Sequence, residues 1–461
     1  MVKKNTADPE ARFLKMTTMP VSKLIISMAI PAICSQIVTS LYNLADTYFI
    51  SNIGTSAAAA PGIAQPLFMI IQAISLMLAT GAASYAARRL GARDGDTANR
   101  TVSTAFFLSV IIGTVIGAVS LLLLENIMRI CGATETILPY AYDYAFWVIL
   151  ATPFFSATFV MAFAIRQEGN VRLAVIGTVA GALLNIVLDP LLIVVFDMGI
   201  VGAAVATSVS QIVSFSILFL HIARDKCVLR LRWKFFTPSK KIIGEVLKIG
   251  SPDLFRTALL SFANILLNNS VSAYGDASLA AMTIVTKIIN IIIMMLMGFG
   301  QGFQPMCGYC YGAKMYDRVK EGLKYTLKIG LLAMSAVAAA GIIFAPSVIS
   351  VFRPDDAEVI EAGTRIMRAQ LLVLPLATVT IISNMLFQST GKAIKSAVVA
   401  LSRNGLTFIP LILILPRLFA FNGVVWAQPI ADTITFVICV FMLISMYKEF
   451  DKPLEEVVAC G

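Results

Sequence analysis

Long apolar runs separated by short clusters of charge organise the whole chain. Runs without any charged residue occupy 24–45, 47–87, 101–124, 144–165, 198–220, 288–313, 329–352 and 369–391. Four more carry or adjoin one isolated charge: 173–196 holds Asp189, 257–275 follows Arg256, 396–416 holds Arg403 and 418–447 holds Asp432. A helix of about 20 apolar residues crosses the hydrocarbon of a bilayer, so the pattern predicts twelve transmembrane helices. Barrel strands would alternate apolar and polar every second residue, and these runs do not. The first run is too long for a cleaved leader and has no small-residue exit before Asp46.

Composition agrees with a lipid solvent. Of 461 residues, 58% are hydrophobic and 13% charged, with mean hydropathy +0.84, against about 25% charged in soluble domains. Too few charges remain to coat soluble domains, which excludes a soluble enzyme, a nucleic-acid binder and a disordered chain. The net charge of +10 reports orientation. Twenty-five of the 36 lysines and arginines, from Lys3 and Lys4 through the loop 221–243 to Lys452, fall on the side of the N-terminus. Arg129, Arg353 and Arg417 fall on the other. Both termini are therefore expected in the cytoplasm, with the protein in the cytoplasmic (inner) membrane. The cysteines, Cys34 to Cys460, are not arranged as a disulfide framework.

The chain repeats itself. A shift of 221 residues lays Pro31 on Pro252, Gly54 on Gly275, Gly81 on Gly302 and Gly91-Ala92 on Gly312-Ala313. One residue more pairs Pro153 with Pro375 and Gly169 with Gly391. Prolines and glycines set kinks and turns, so the two halves share a backbone shape. Six helices per half make the repeat parallel, an arrangement of carriers that work by rocking lobes. The expected organisation is a cytoplasmic segment 1–19, an N-lobe 20–222, a basic linker 223–243, a C-lobe 244–447 and a cytoplasmic tail 448–461.

Acids inside spans are costly and mark function. Asp46 lies ~35 Å along its helix from Lys23, and Asp189 ~25 Å from Arg172, at 1.5 Å per residue. Thr207 falls ~13 Å below the outer end of helix 6. All three reach the outer half of the N-lobe, and Asn185 shares a helix face with Asp189. These oxygens suit Na⁺; they equally suit a proton, because two close carboxylates in low dielectric do not both ionise easily. The repeat places Leu267 and Leu411 where the N-lobe has Asp46 and Asp189, so the acids are not needed for packing. Asp432 is a candidate in the C-lobe. Pro31, fifteen residues before Asp46, kinks helix 1 and offers a link between ion binding and lobe movement.

Other signals carry little. Cys307-Gly-Tyr-Cys310 lacks a redox-domain context, Gly391-Lys392 lacks the upstream glycine of a phosphate loop, and the single histidine, His221, builds no metal site. Met294-Met295-Leu296-Met297 is core or lipid-facing filling, or a flexible cavity wall.

The segments Leu41-Tyr42-Asn43-Leu44-Ala45-Asp46-Thr47-Tyr48-Phe49 and Asn185-Ile186-Val187-Leu188-Asp189-Pro190 resemble the multidrug and toxic compound extrusion (MATE) transporters. Gly199 to Thr207, Gln304-Pro305 with Gly308-Tyr309, and Gly423 to Asp432 extend the resemblance over about 20–447, closest to the prokaryotic DinF-like and MepA-like branch. The resemblance implies an all-α, V-shaped pair of six-helix bundles that expels lipophilic or cationic drugs against H⁺ or Na⁺. It implies no other cofactor, no enzyme activity, no nucleic-acid partner, and a monomer in the bilayer. It also implies a cation site at Asp46, Asn185, Asp189 and Thr207, with Tyr42, Asn43, Pro31 and Asp432 as supporting or substrate-cavity residues. A second reading is a lipid-linked oligosaccharide or phospholipid flippase of the same superfamily, for which Arg256, Lys287 and Arg403 would line the cavity.

Overall fold

A computed structural model describes residues 8–51, 53–224 and 226–451; Lys3, Lys4, Lys452 and Cys460 lie outside them. The described residues form helices and no strand. In chain order these are α1 (Pro9–Thr18), α2 (Val21–Ser51), α3 (Thr55–Gly91), α4 (Gly95–Leu122), α5 (Leu124–Ile130), α6 (Leu138–Leu150), α7 (Thr152–Gln167) and α8 (Val171–Pro190). They continue with α9 (Gly199–Ala223), α10 (Lys240–Ser272), α11 (Asp276–Gly312), α12 (Tyr316–Ser350), α13 (Ala357–Ser389), α14 (Ala393–Leu401) and α15 (Phe408–Phe450). In lipid every backbone polar group must be paired within its own segment, which selects helices.

Nine helical stretches among the described residues are long and apolar enough to span a membrane by themselves. Twelve passes follow from three local features. α6 and α7 are one pass bent by 50°, where Pro153 opens α7. The stretch 393–450 is two passes, because the chain turns at Ala420 with φ +47°. α10 is the twelfth, its apolar part diluted by Arg256 and by Asn264, Asn268 and Asn269.

The repeat is written in backbone angles as well as in sequence. Arg93 and Lys314, 221 residues apart, both adopt the left-handed conformation (φ 60° and 59°) after α3 and α11. Gly169 (φ 86°) and Gly391 (φ 77°) close the equivalent turns after α7 and α13. L side chains avoid this region, so glycine is the natural occupant of such a turn.

By its contacts the chain divides into two units, one of residues 1–19 and 30–254, the other of 20–29 and 255–461. The sequence division at the linker differs at two points. The start of α2 belongs with the C-terminal half, and the linker with the start of α10 belongs with the N-terminal half. Glycines make this close packing possible. A Cβ on Gly81 of α3 would lie 2.0 Å from the Val246 carbonyl oxygen of α10, and one on Gly250 of α10 would lie 1.9 Å from that of Met77. In the other unit, a Cβ on Gly302 of α11 would lie 2.6 Å from the Ala29 nitrogen of α2. The prolines of the repeat, Pro31 and Pro252, sit within three residues of the points where α2 and α10 pass from one unit to the other.

The linker is strapped onto the first unit by a buried acid. Glu168, in the turn after α7, is fully buried. Its Oε2 accepts the backbone N–H groups of Val228 (2.8 Å) and Leu229 (2.9 Å). Next to it, Arg12 of α1 donates to the Gly169 carbonyl (3.2 Å), and Met16 fills the space above Gly169. Asn99 and Ser103 of α4 hold the linker at Arg230. Burial pushes the Glu168 carboxyl up to about 7, against the opposing pull of the Leu229 N–H, Arg12 and the Val228 N–H.

Two predictions follow from this packing. Gly81→Ala lowers the thermal midpoint of the purified protein, by ~1–3 kcal/mol of overpacking, although alanine favours the helix. Gly62→Ala in the same helix, where a Cβ meets nothing within 4 Å, leaves it unchanged or raises it; equal effects at both sites would refute the packing argument. For Glu168, the folded chain keeps a proton that the unfolded chain loses at an ordinary carboxyl pKa. Its contribution is therefore most favourable below the ordinary value of 4.5, falls as pH rises to about 7, and is flat above. Glu168→Gln removes that component of the pH profile of the melting temperature, and an unchanged slope in the variant would contradict it.

Candidate functional site

Helix α8 presents one face, at intervals of four residues, to α9. Gly177 and Gly181 come first: a Cβ at either would collide with Leu218 or Ser214 of α9, at 2.4 and 1.8 Å. Small residues let the two backbones approach, as they do between membrane helices generally. One and two turns further along the same face come Asn185 and Asp189, 1% and 0% exposed. The close approach thus brings an amide and a carboxylate against Thr207 of α9. Pro190 and a π-helical turn, Leu191–Val195, end the pass beside Asp189; wide turns of this type often accompany functional sites.

The second half of α2 supplies Tyr42 and Asp46, four residues apart and on one face. Tyr42 shares a hydrogen bond with Thr207. The Asn185 amide is oriented by its surroundings. With its NH₂ donating to Asp189 Oδ2 (2.9 Å), its oxygen accepts the Thr207 N–H (3.1 Å). Asp46 and Asp189 are close enough to act on one another electrostatically. Each keeps one buried carboxylate oxygen, Oδ1, without a partner among the described residues. No lysine or arginine among the described residues pairs with either acid. Two anionic groups in such a place are costly unless a cation or a proton joins them.

The structure therefore brings together Asp46, Asn185, Asp189 and Thr207, with Tyr42. It also adds Tyr144 of α6, which is 7% exposed and within electrostatic reach of Asp46, Tyr42 and Asp189. Nothing in the sequence separates Tyr144 from Tyr140 and Tyr142, which are 41% and 38% exposed; only the fold distinguishes them. Asn43 lies on an exposed face of α2 outside the cluster. Pro31 lies within α2, well before the site.

Asp432 belongs to the other unit and has its own counter-charge. Arg403, on the π-helical turn Ser402–Leu406, donates from Nε to Asp432 Oδ1 (2.9 Å), and the Gln428 amide donates to the same oxygen (2.9 Å). The two residues, read separately from the sequence, form one neutralised pair. Of the other basic candidates, Lys287 is exposed and Arg256 has interaction partners.

Comparison with known proteins follows the same lines. Over 419 residues the chain is 26% identical to the multidrug export protein MepA of Staphylococcus aureus, covering 90% of this chain and 92% of the relative. Two solved structures superimpose on it at 26% identity, each covering 95% of this chain and 99% of the other. One is a MATE protein in complex with MaL6, with a TM-score of 0.90. The other is an outward-facing multidrug resistance MATE family transporter of the MOP superfamily, with a TM-score of 0.89. The MatE family profile matches twice, over residues 31–191 and 252–414, so its two copies begin at the two prolines of the internal repeat. The twofold match, covering both halves of a helical membrane protein with an acid site in the first, makes this chain a member of the MatE family of transporters.

Proposed function

We propose that the protein is a multidrug exporter that expels lipophilic, often cationic molecules in exchange for an inward-moving H⁺ or Na⁺. The observation that carries this reading is the pair Asp46 and Asp189, each with a buried carboxylate oxygen that has no partner, and neither with a basic neighbour, among the described residues. A transport cycle needs a site whose charge changes with the ion gradient, and this pair supplies one. The likeness to MepA adds the substrate class. With the termini in the cytoplasm, as the distribution of lysine and arginine favours, the site lies in the outer half of the membrane. There it takes its cation from outside. Loading neutralises the carboxylates and permits the rearrangement that opens the substrate path to the other side; alternating access in such repeats is movement of one lobe against the other. The protein acts as a monomer in the cytoplasmic membrane. The flippase reading gains no support from Arg403, whose charge is already taken by Asp432.

Reconstituted into vesicles, the protein exports a fluorescent cationic drug when a pH or Na⁺ gradient is imposed. Asp46→Asn and Asp189→Asn each reduce this gradient-driven export to background while retaining the melting behaviour of the folded protein. Full export by either folded variant would remove the acids from the coupling step.

Imposing the two gradients separately identifies the ion. Na⁺ needs the neutral oxygens of Asn185 and Thr207 to complete its shell, because a lone carboxylate pair does not replace its hydration; a proton needs only the carboxylates. Thr207→Ala therefore weakens Na⁺-driven export severely and H⁺-driven export little. Equal loss in both gradients would assign Thr207 to the structure of the site and not to the ion.

A further inference from the structure

The second unit carries a groove unrelated to the acid site. It has a volume of about 600 Å³ and is framed by the end of α12, the first half of α13 and the part of α15 after its turn. Two arginines, Arg365 and Arg368, lie on its floor on one face of α13, with Glu361 one turn before them and Leu372 one turn after. Pro346 of α12 and Trp426 of α15 form its sides.

Depth places this groove at a membrane surface. Arg368 is 21 residues from the end of α13 at Ser389, hence ~31 Å along the helix. Trp426 is 24 residues from the end of α15 at Phe450, hence ~36 Å. The hydrocarbon layer is ~30 Å thick, so both residues stand at the headgroup level opposite the ends of α13 and α15. Tryptophan is enriched at that level. Leu372, 58% exposed, continues the same face of α13 toward the hydrocarbon.

The polar groups of the groove are under-used. Arg368 spends Nε on the Ile342 carbonyl (3.2 Å), and its terminal nitrogens make no hydrogen bond among the described residues. Among the described residues Arg365 makes only long contacts, to Glu361 (3.7 Å) and to Asn422 (3.4 Å); exposed pairs of this kind are weak. The Thr364 hydroxyl is buried at the groove with no partner among the described residues. Two guanidinium forks and a hydroxyl above an apolar wall match a phosphate with acyl chains beneath it.

We infer that this groove binds an anionic phospholipid of the outer leaflet, with its phosphate on Arg365 and Arg368 and its chains along Leu372 and Trp426. The leaflet assignment rests on the orientation stated above; the binding does not depend on drug export. The lipid is held in place and not transported, because nothing in the groove belongs to the acid site.

Native mass spectrometry of the purified full chain, equilibrated with phosphatidylglycerol or phosphatidylcholine, tests the proposal. Two arginines at a membrane surface, partly offset by Glu361, give a preference of roughly tenfold for phosphatidylglycerol. In R365Q/R368Q this ratio falls close to one, whereas R129Q, which removes an arginine of the other unit held by Glu125 and Glu135, retains it. Equal binding of the two lipids by the unaltered protein overturns the proposal, as does a preference that survives in R365Q/R368Q. Glycerol phosphate that displaces phosphatidylglycerol at equal concentration also overturns it, in favour of a site for free phosphate. Should the double variant fail to fold, the lipid comparison and the glycerol phosphate competition on the unaltered protein still decide. Loss of drug export with intact lipid preference would count against the exporter reading alone.

Discussion

A carboxylate deep in a membrane protein is unstable unless something neutralises it, and the two units of this chain answer that constraint differently. In one, Asp432 is met by Arg403 and Gln428 from the same unit, so its charge is settled when the chain folds. In the other, Asp46 and Asp189 have no basic partner among the described residues, and the cation proposed above would supply their neutralisation. An unpaired acid pair and a closed ion pair are thus opposite solutions to one cost. The rest of the N-terminal unit serves the acid pair. Gly177 and Gly181 draw α9 against α8, Asn185 ties Asp189 to Thr207, and Tyr42 approaches from α2.

Symmetry and asymmetry have separate physical origins here. The turns after α3 and α11 are left-handed at Arg93 and Lys314, and those after α7 and α13 at Gly169 and Gly391; these positions determine where the chain reverses and are common to both halves. The charges are not. At the turns between the fourth and fifth passes the contrast recurs: in the first unit the turn after α7 carries the acid, Glu168, and receives backbone donors from the linker. In the second unit the turn after α13 is followed by the bases Lys392 and Lys395, which meet Glu449 near the end of α15. The same architectural joint, the turn between the fourth and fifth passes of each half, is closed by opposite chemistry, from the linker after α9 in the first and from the end of α15 in the second.

Much of this was legible in the sequence because charge is so scarce. Twelve passes followed from apolar runs, and the four residues Asp46, Asn185, Asp189 and Thr207 from their depth along three helices, a depth that rise per residue converts directly into position. What the sequence withheld depends on contacts between distant segments. Tyr144 is one of three tyrosines at the start of α6, and only the packing of α6 singles it out. The pairing of Arg403 with Asp432 joins residues on two passes and has no local signature. Glu168 reads as one more charge in a cytoplasmic turn until the linker is found lying on it. The passage of residues 20–29 into the second unit was hidden for the same reason: an apolar stretch does not declare which neighbour covers it.

The shared first segments of α2 and α10 have a consequence for biogenesis. As the chain leaves the ribosome, the start of α2 emerges early, yet its partner Gly302 on α11 is made more than 250 residues later. The N-terminal unit in turn stays incomplete until the beginning of α10 has been synthesised. Neither half of the gene therefore encodes a finished half of the protein. The start of α2 therefore lacks its packing partner on α11 until the second half of the chain has been made.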